Sequence, residues 1–353
     1  MPTTYAIPNG RTVMDATLYT ANGGTQAVAN TDNGTTGFKP DLVWVKMRSG
    51  TVSNILNDSN RGVSKPIYSN LTNAEGSQPG FSVTAFNSNG FTVVDDSAGN
   101  YGVNGASGQT FVGWQWQAGQ GSTSSNTSGS ITSTVSVNPT AGFSVVTYSG
   151  NGTSGATVGH GLGVTPSMII IKGRNASTGG SNWLVEHSSI SNSIQANSST
   201  FTTTSTNMVL LNSTGATIAY GFDAQINGLG GTYVAYCWAP IAGYSQFGSY
   251  TGNGSTDGPF IYTGFRPKFI MIKRTDTVGD WWMLDSSRDT YNVMNSVLYA
   301  DTSAAEATGN TGGTIDFLSN GVKLRCTPQP NTSGGTFIYA AFAENPLKYA
   351  NAR

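Results

Sequence analysis

The strongest constraint on this chain is an internal repeat that occurs three times. Pro40 to Lys46, Pro166 to Lys172 and Pro267 to Lys273 each span six residues. They enclose Leu42-Val43-Trp44-Val45, Met168-Ile169-Ile170-Ile171 and Phe269-Ile270-Met271-Ile272. From each proline to the threonine opening a later aromatic segment (Thr110, Thr232, Thr336) the separations are 70, 66 and 69 residues. Four apolar residues in a row do not alternate, so each predicts a strand covered on both faces. A unit copied in this way must fold into equivalent supersecondary structure each time.

Further anchors fill in the unit. An aromatic strand end runs into an Asn-Gly turn at Tyr19 to Gly23, Tyr148 to Gly152 and Tyr250 to Gly254, and Asn-Gly favours the positive φ of a hairpin-type turn. A carboxylate follows the central strand at Asp58, Glu186 and Asp285. Asn89-Gly90, Asn207-Met208 and Asn320-Gly321 open another strand. The closing strand places Val112, Trp114 and Trp116 on one face, matched by Val234, Tyr236 and Trp238 and by Ile338, Ala340 and Phe342, and that face is expected to be core.

The expected class is all-β, with three tandem antiparallel β-sandwich units of jelly-roll type at residues 14–118, 141–243 and 245–348. Residues 1–13 form an N-terminal segment and 349–353 a tail. Residues 119–140, rich in Gly, Ser, Thr and Asn, read as a linker. The first unit is therefore expected to move more freely than the second and third, which meet without a spacer.

Composition narrows the function. Charged residues make up 10% of the chain with a net of -1, leaving no electrostatic footprint for nucleic acid or an anionic membrane. With 37% hydrophobic residues, including 7 Trp and 15 Phe, the chain is expected to fold rather than stay disordered. No apolar run approaches the ~20 residues that span a bilayer, and Met1 to Gly10 lacks the pattern of a standard secretory signal, so neither membrane insertion nor signal-led secretion is expected. Cys237 and Cys326 are far apart in sequence. They read as free thiols of a protein made in a reducing cytoplasm.

Chemistry-bearing motifs are scarce. His160 and His187 are the two histidines, too few for a His-ligated metal site without other clustered ligands, so neither a metal nor a cofactor is expected. Gly159-His160-Gly161-Leu162-Gly163 leads into a proline and a strand and reads as a turn rather than a phosphate loop. Arg61 and Arg288 follow Asp58 and Asp285 by three residues, whereas Glu186 has no such arginine. A structural ion pair or turn cap is favoured over paired catalytic carboxylates, which a glycosidase requires. Asp95-Asp96 could hold a cation, but such pairs usually serve as solvated turns. Trp281 aligns with Asn54 and Asn182, and Trp282 with Ile55 and Trp183. If Trp282 is buried, Trp281 points the other way, either to a ligand such as a sugar ring or into the adjoining unit. Tyr19, Asn22, Tyr148, Asn151, Tyr250 and Asn253, in the repeated turns, are the other ligand-binding candidates, with a structural role favoured. No catalytic residue is assigned, and the chain is expected not to be an enzyme.

The phrase Phe-[Lys/Arg]-Pro-x-[Leu/Phe]-[Val/Ile]-x-[Val/Ile]-Lys, together with Trp281-Trp282-Met283-Leu284-Asp285-Ser286-Ser287-Arg288-Asp289, resembles an uncharacterised domain of virion proteins from tailed bacteriophages, especially marine and cyanobacterial ones. The resemblance covers nearly the whole chain and brings no catalytic residues with it. It implies a particle component made in the host cytoplasm: a tail fibre or adhesin that meets host surface glycans, or a head decoration with a purely architectural role. A polysaccharide depolymerase is a further alternative. The implied partners are other capsid or tail proteins, host surface polysaccharide and further copies of the chain, held through sheet faces or edges.

Overall fold

The computed structural model describes residues 6–31, 37–77, 80–95, 102–175, 181–191, 193–199, 209–211, 215–218, 224–309 and 314–344. The chain is all-β. Among the described residues the helical segments are a single turn of 3-10 helix at Gly10–Thr12 and a four-residue α-helix at Ala224–Asn227.

In the first repeat, eight strands run in chain order: β1 (Met14–Thr20), β2 (Thr25–Ala29), β3 (Leu42–Met47), β4 (Ile55–Asp58), β5 (Ile67–Tyr68), β6 (Phe81–Asn87), β7 (Gly90–Asp95) and β8 (Thr110–Trp116). They divide into a five-stranded sheet, β1-β8-β3-β4-β5, and a three-stranded sheet, β2-β7-β6, antiparallel throughout. The second repeat begins with two extra strands, β9 (Ser124–Asn126) and β10 (Ser133–Asn138). It continues with β11 (Phe143–Ser149), β12 (Thr157–Gly159), β13 (Met168–Gly173), β14 (Trp183–His187), β15 (Ile194–Gln195), β16 (Val209–Leu211), β17 (Gly215–Ile218) and β18 (Thr232–Trp238). The third comprises β19 (Ser245–Thr251), β20 (Phe260–Tyr262), β21 (Pro267–Arg274), β22 (Trp281–Asp285), β23 (Leu298–Tyr299), β24 (Ile315–Leu318), β25 (Gly321–Leu324) and β26 (Thr336–Ala343). Their large sheets run β11-β18-β13-β14-β15 and β19-β26-β21-β22-β23, and their small sheets β12-β17-β16 and β20-β25-β24. The strand order is the same in all three copies.

The unbroken apolar runs are explained by two cores, one on each side of the large sheet. In the first repeat Val43, Val45 and Phe111 face the small sheet and pack with Val28, Val83, Phe91 and Val93. Leu42, Trp44, Trp114 and Trp116, on the opposite face, join one cluster that also holds Met168, Ile170, Tyr236 and Trp238 of the second repeat and Phe269, Met271 and Phe342 of the third. The three large sheets thus pack against one another around a common centre. Trp116, Trp238 and Phe342 occupy the same register position, opposite Leu42, Met168 and Phe269 respectively. They meet there: Trp116 lies 6.0 Å from Trp238 and 5.7 Å from Phe342, both edge to face. Burial of each indole contributes about 2–3 kcal/mol.

Two expectations from composition give way here. Residues 119–140 are not a free linker, because β10 pairs with β11 along its whole length and β9 pairs with β10, extending the second large sheet to seven strands. Asp41 fixes the entry to this segment: its carboxylate accepts from the backbone N–H groups of Ala118 (2.7 Å), Gln120 (2.7 Å) and Gly121 (2.8 Å) and from the Ser136 hydroxyl (3.1 Å). Nor is the first repeat loosely attached, since it shares the central core and ion pairs with both others. Arg174 meets Glu75 at 2.8 Å, and Arg48 meets Glu306 at 2.8 Å. At the chain's ends, Glu344 is paired with both Arg11 and Arg266.

Candidate functional site

The residues that recur most faithfully meet at the seams between repeats. The closing lysine of each central strand is buried and reaches into the preceding repeat of a ring. The Lys46 ammonium donates to the Thr302 carbonyl (2.8 Å), Lys172 to Leu71 (3.4 Å), and Lys273 to Ser198 (3.1 Å) and Ser199 (3.2 Å). The direction is first to third, second to first and third to second, so three repeats close a cycle. Burial lowers the lysine pKa values, to about 7 for Lys46 and about 8 for Lys172 and Lys273, because a charged ammonium loses hydration there.

Strand register places Asn54, Trp183 and Trp281 opposite these lysines or at the matching step of the ladder. Each points across the same seam as its lysine. The Trp183 indole donates to the Tyr68 carbonyl (2.8 Å), Trp281 to Gln195 (2.8 Å), and the Asn54 amide to Ala300 (2.8 Å). Lys172 and Lys273 also sit over the Trp183 and Trp281 rings, at 5.7 Å in both cases. Trp281 is 2% exposed. Of the two expectations for it, burial against the adjoining unit is the one observed, and its ring is closed to any ligand. Trp282 is also buried, edge to face on Tyr299. The sequence alignment was one step out here: Trp281, not Trp282, is the counterpart of Trp183.

The same correction applies to the recurring carboxylate. Leu42 pairs with Asp58, Phe269 with Asp285 and Met168 with His187, so His187, not Glu186, holds the position in the second repeat. Glu186 is buried and accepts from the Ser193 hydroxyl. Asp58 binds the Arg61 guanidinium (2.5 Å) and accepts from the Tyr236 hydroxyl of the second repeat (2.7 Å). Asp285 binds Arg288 (2.6 Å) and accepts from the Trp114 indole of the first (3.0 Å). Burial opposes the charge on Asp285, but Arg288 beside it outweighs that cost and holds the carboxyl below its usual range. The favoured structural ion pair is what the geometry shows at both sites.

His187 solves the same problem with opposite polarity. Its counterpart donor in the third repeat, at the register position of Trp114 and Tyr236, is Ala340, which has no donor to offer. The His187 Nε2–H instead donates to the Tyr339 backbone carbonyl (3.1 Å), while Nδ1 accepts from the Ser189 N–H (3.1 Å). That pair of contacts requires the neutral ring, and burial takes its pKa down to about 4. The other histidine, His160, is buried with Nδ1 accepting from Leu162 N–H (3.2 Å), as a turn requires.

The repeated turns are structural as well. The Tyr19, Tyr148 and Tyr250 hydroxyls donate to the carbonyls of Val103 (2.5 Å), Ile226 (2.8 Å) and Pro330 (2.8 Å), and the rings stack on Phe111, Tyr233 and Phe337 at 5.0–5.2 Å. Asn22, Asn151 and Asn253 each accept from the backbone two residues on, at Gly24, Thr153 and Ser255. A second asparagine locks each turn: Asn104, Asn227 and Asn331 accept from the backbone N–H of Asn22, Asn151 and Asn253 at 3.1, 3.0 and 2.9 Å, and donate back to those side chains. Sequence reasoning did not find these three. The usable signal was an asparagine six, five and five residues before the closing threonines Thr110, Thr232 and Thr336.

Among the described residues no group of three or more His, Cys, Asp or Glu side chains is placed to hold a metal ion. Asp96 to Asn100, expected as a solvated turn, lie outside the described residues, as do Asn207 and Met208. Both cysteines are free and buried, and burial pushes the Cys237 thiol up to about 12.

The chain matches the family described as Domain of unknown function (DUF7483) from residue 10 to residue 346. It belongs to that family. No curated protein and no solved structure matches it.

Proposed function

We propose that this chain is a non-enzymatic structural protein of a tailed-phage virion surface, a tail-fibre or adhesin-type component that meets host surface glycans. The observation that carries the reading is how the recurring polar side chains are used. Lys46, Lys172, Lys273, Asp58, Asp285 and His187 have their hydrogen-bonding atoms committed to a neighbouring repeat or to their own turn. Such groups serve to lock three units into one rigid body, which suits a part that transmits load or presents a surface. The phage-like phrase around Pro267 and Trp281 supplies the particle context.

The test is proteomic quantification of purified phage particles. The expected result is the protein at a copy number matching the few fibres of a tail. A count matching the many subunits of a head would replace the adhesin with a decoration protein, and absence from the particle would overturn the reading. Release of reducing ends from host polysaccharide by the purified chain would overturn the non-enzymatic part.

A further inference from the structure

The three repeats are alike inside and unlike outside. Among the described residues, five of the eight large apolar side chains left exposed lie in the third repeat, and the three aromatics among them are Phe260 (45% exposed), Tyr262 (67%) and Tyr291 (83%). Phe260 and Tyr262 are two apart on β20, flanking the buried Ile261, so both face outward from the small sheet. The segment Asn292 to Met294 lies along the far side of that sheet. Met294 exchanges backbone hydrogen bonds with Ile315 (2.8 and 3.2 Å), and the Asn292 amide clamps the backbone of Phe317 (2.8 and 3.0 Å). The outer face is therefore four strands wide, about 14 Å at ~4.8 Å per step, with Tyr262 on its first strand and Tyr291 beside its last.

Packing does not demand these rings. The Phe260 ring covers Gly321, where an added Cβ would stand 2.7 Å from it and 2.2 Å from the Ile261 carbonyl oxygen. The register counterparts of Gly321 are Gly90 and Gly215, and there the positions of Phe260 and Tyr262 are filled by Ala27 and Ala29 in the first repeat and Thr157 and Gly159 in the second. In the first repeat the nearest neighbours of a Cβ added at Gly90 are backbone atoms of Val28 and Ala29, so the fold tolerates this glycine without a ring over it.

We propose that this outer face of the third repeat is a binding platform for an uncharged polysaccharide chain. Aromatic rings stack on the C–H faces of sugar rings, and polar groups beside them engage the hydroxyls. Lys323, directly opposite Phe260, is paired with Asp257 (2.7 Å), and Arg325 with Asp316 (2.6 Å). Two cations and two carboxylates cancel, so the face supplies donors and acceptors without a net field that would select a polyanion. The inference rests on the surface-display reading and identifies where a glycan would sit.

Affinity electrophoresis of the whole chain through gels containing mannan, galactan, a neutral β-glucan or alginate tests it. Retardation by at least one neutral polysaccharide is expected. Tyr262→Ser or Tyr291→Ser should weaken it about three- to tenfold each, as loss of one stacked ring implies, and the triple change with Phe260→Ser should abolish it. All three side chains are exposed, so thermal unfolding of the variants should match the parent. Retardation by alginate alone, by no polysaccharide, or equally for parent and triple variant would overturn the proposal. So would loss of self-association in the triple variant, measured by sedimentation, without any change in saccharide binding. Detection in purified particles with no effect of these variants would remove this platform and leave the proposed virion role intact.

Discussion

The seam where the second repeat meets the third satisfies its buried polar groups differently from the other two. At two seams a buried carboxylate, backed by an arginine three residues on, accepts from an aromatic donor across the seam: Asp58 from Tyr236 and Asp285 from Trp114. At the remaining one the donor position is Ala340, and a carboxylate there would face a backbone carbonyl, acceptor against acceptor. The chain carries His187 instead, which donates, and Ile190 stands where the arginines would be. Polar satisfaction across a seam is thus a property of the pair, and a change on one side requires a change of opposite sense on the other.

The comparison is broken hardest by removing one partner of a buried ion pair. Asp285→Ala leaves the Arg288 Nε without its carboxylate, with only Glu306 (3.1 Å) still paired to that buried guanidinium, and the Trp114 indole unsatisfied, at an expected cost of about 3–5 kcal/mol, read from urea unfolding. His187→Asp should cost a similar amount, because the new carboxylate meets the Tyr339 carbonyl with no arginine beside it. Adding Ile190→Arg to that variant should recover part of the loss. Equal stability of His187→Asp and the parent would refute the donor–acceptor account.

A pH titration sharpens it. The unfolded imidazole titrates near 6.5 and the folded one at about 4, so the unfolded chain takes up the proton first. The His187 contribution is complete above pH 6.5 and fades as pH falls from 6.5 to about 4, amounting to about 3 kcal/mol over that window. His187→Gln keeps a donor and an acceptor without the titration, so the gap between its urea midpoint and the parent's should widen in its favour as pH falls from 6.5 to about 4.

Smaller still is Lys172→Met, which leaves the Leu71 and Ser181 carbonyls short of a donor and should cost about 1–3 kcal/mol. Smallest is Tyr262→Ser on the outer face, within about 0.5 kcal/mol of the parent. A large loss of stability there would mean that the exposed ring supports the fold after all.

Much of this architecture is legible in the sequence. The spacing of Pro40, Pro166 and Pro267 from their lysines and closing threonines locates equivalent strands, and the unbroken apolar runs correctly require cover on both faces. What covers the second face is not readable, because it is the other two repeats, and nothing in Trp116 says that it will meet Trp238 and Phe342. Composition misleads at 119–140, since an exposed edge strand such as β9 draws on the same Ser and Asn as a linker. The candidate site fares worse. Aligning on acidity matched Glu186 to Asp58, whereas hydrogen-bond register matches His187, and a histidine shares no charge with an aspartate to betray the equivalence. Exposure of Phe260, Tyr262 and Tyr291 depends on which strands lie at the outer face, which short-range pattern does not reveal.

Encoding all three units in one chain has a consequence for valency. An assembly of three identical subunits would display any surface substitution three times, at fixed mutual angles. Here each third has its own codons, so one side can acquire a surface chemistry of its own while the others stay unchanged, and the number of such surfaces per molecule can evolve one substitution at a time.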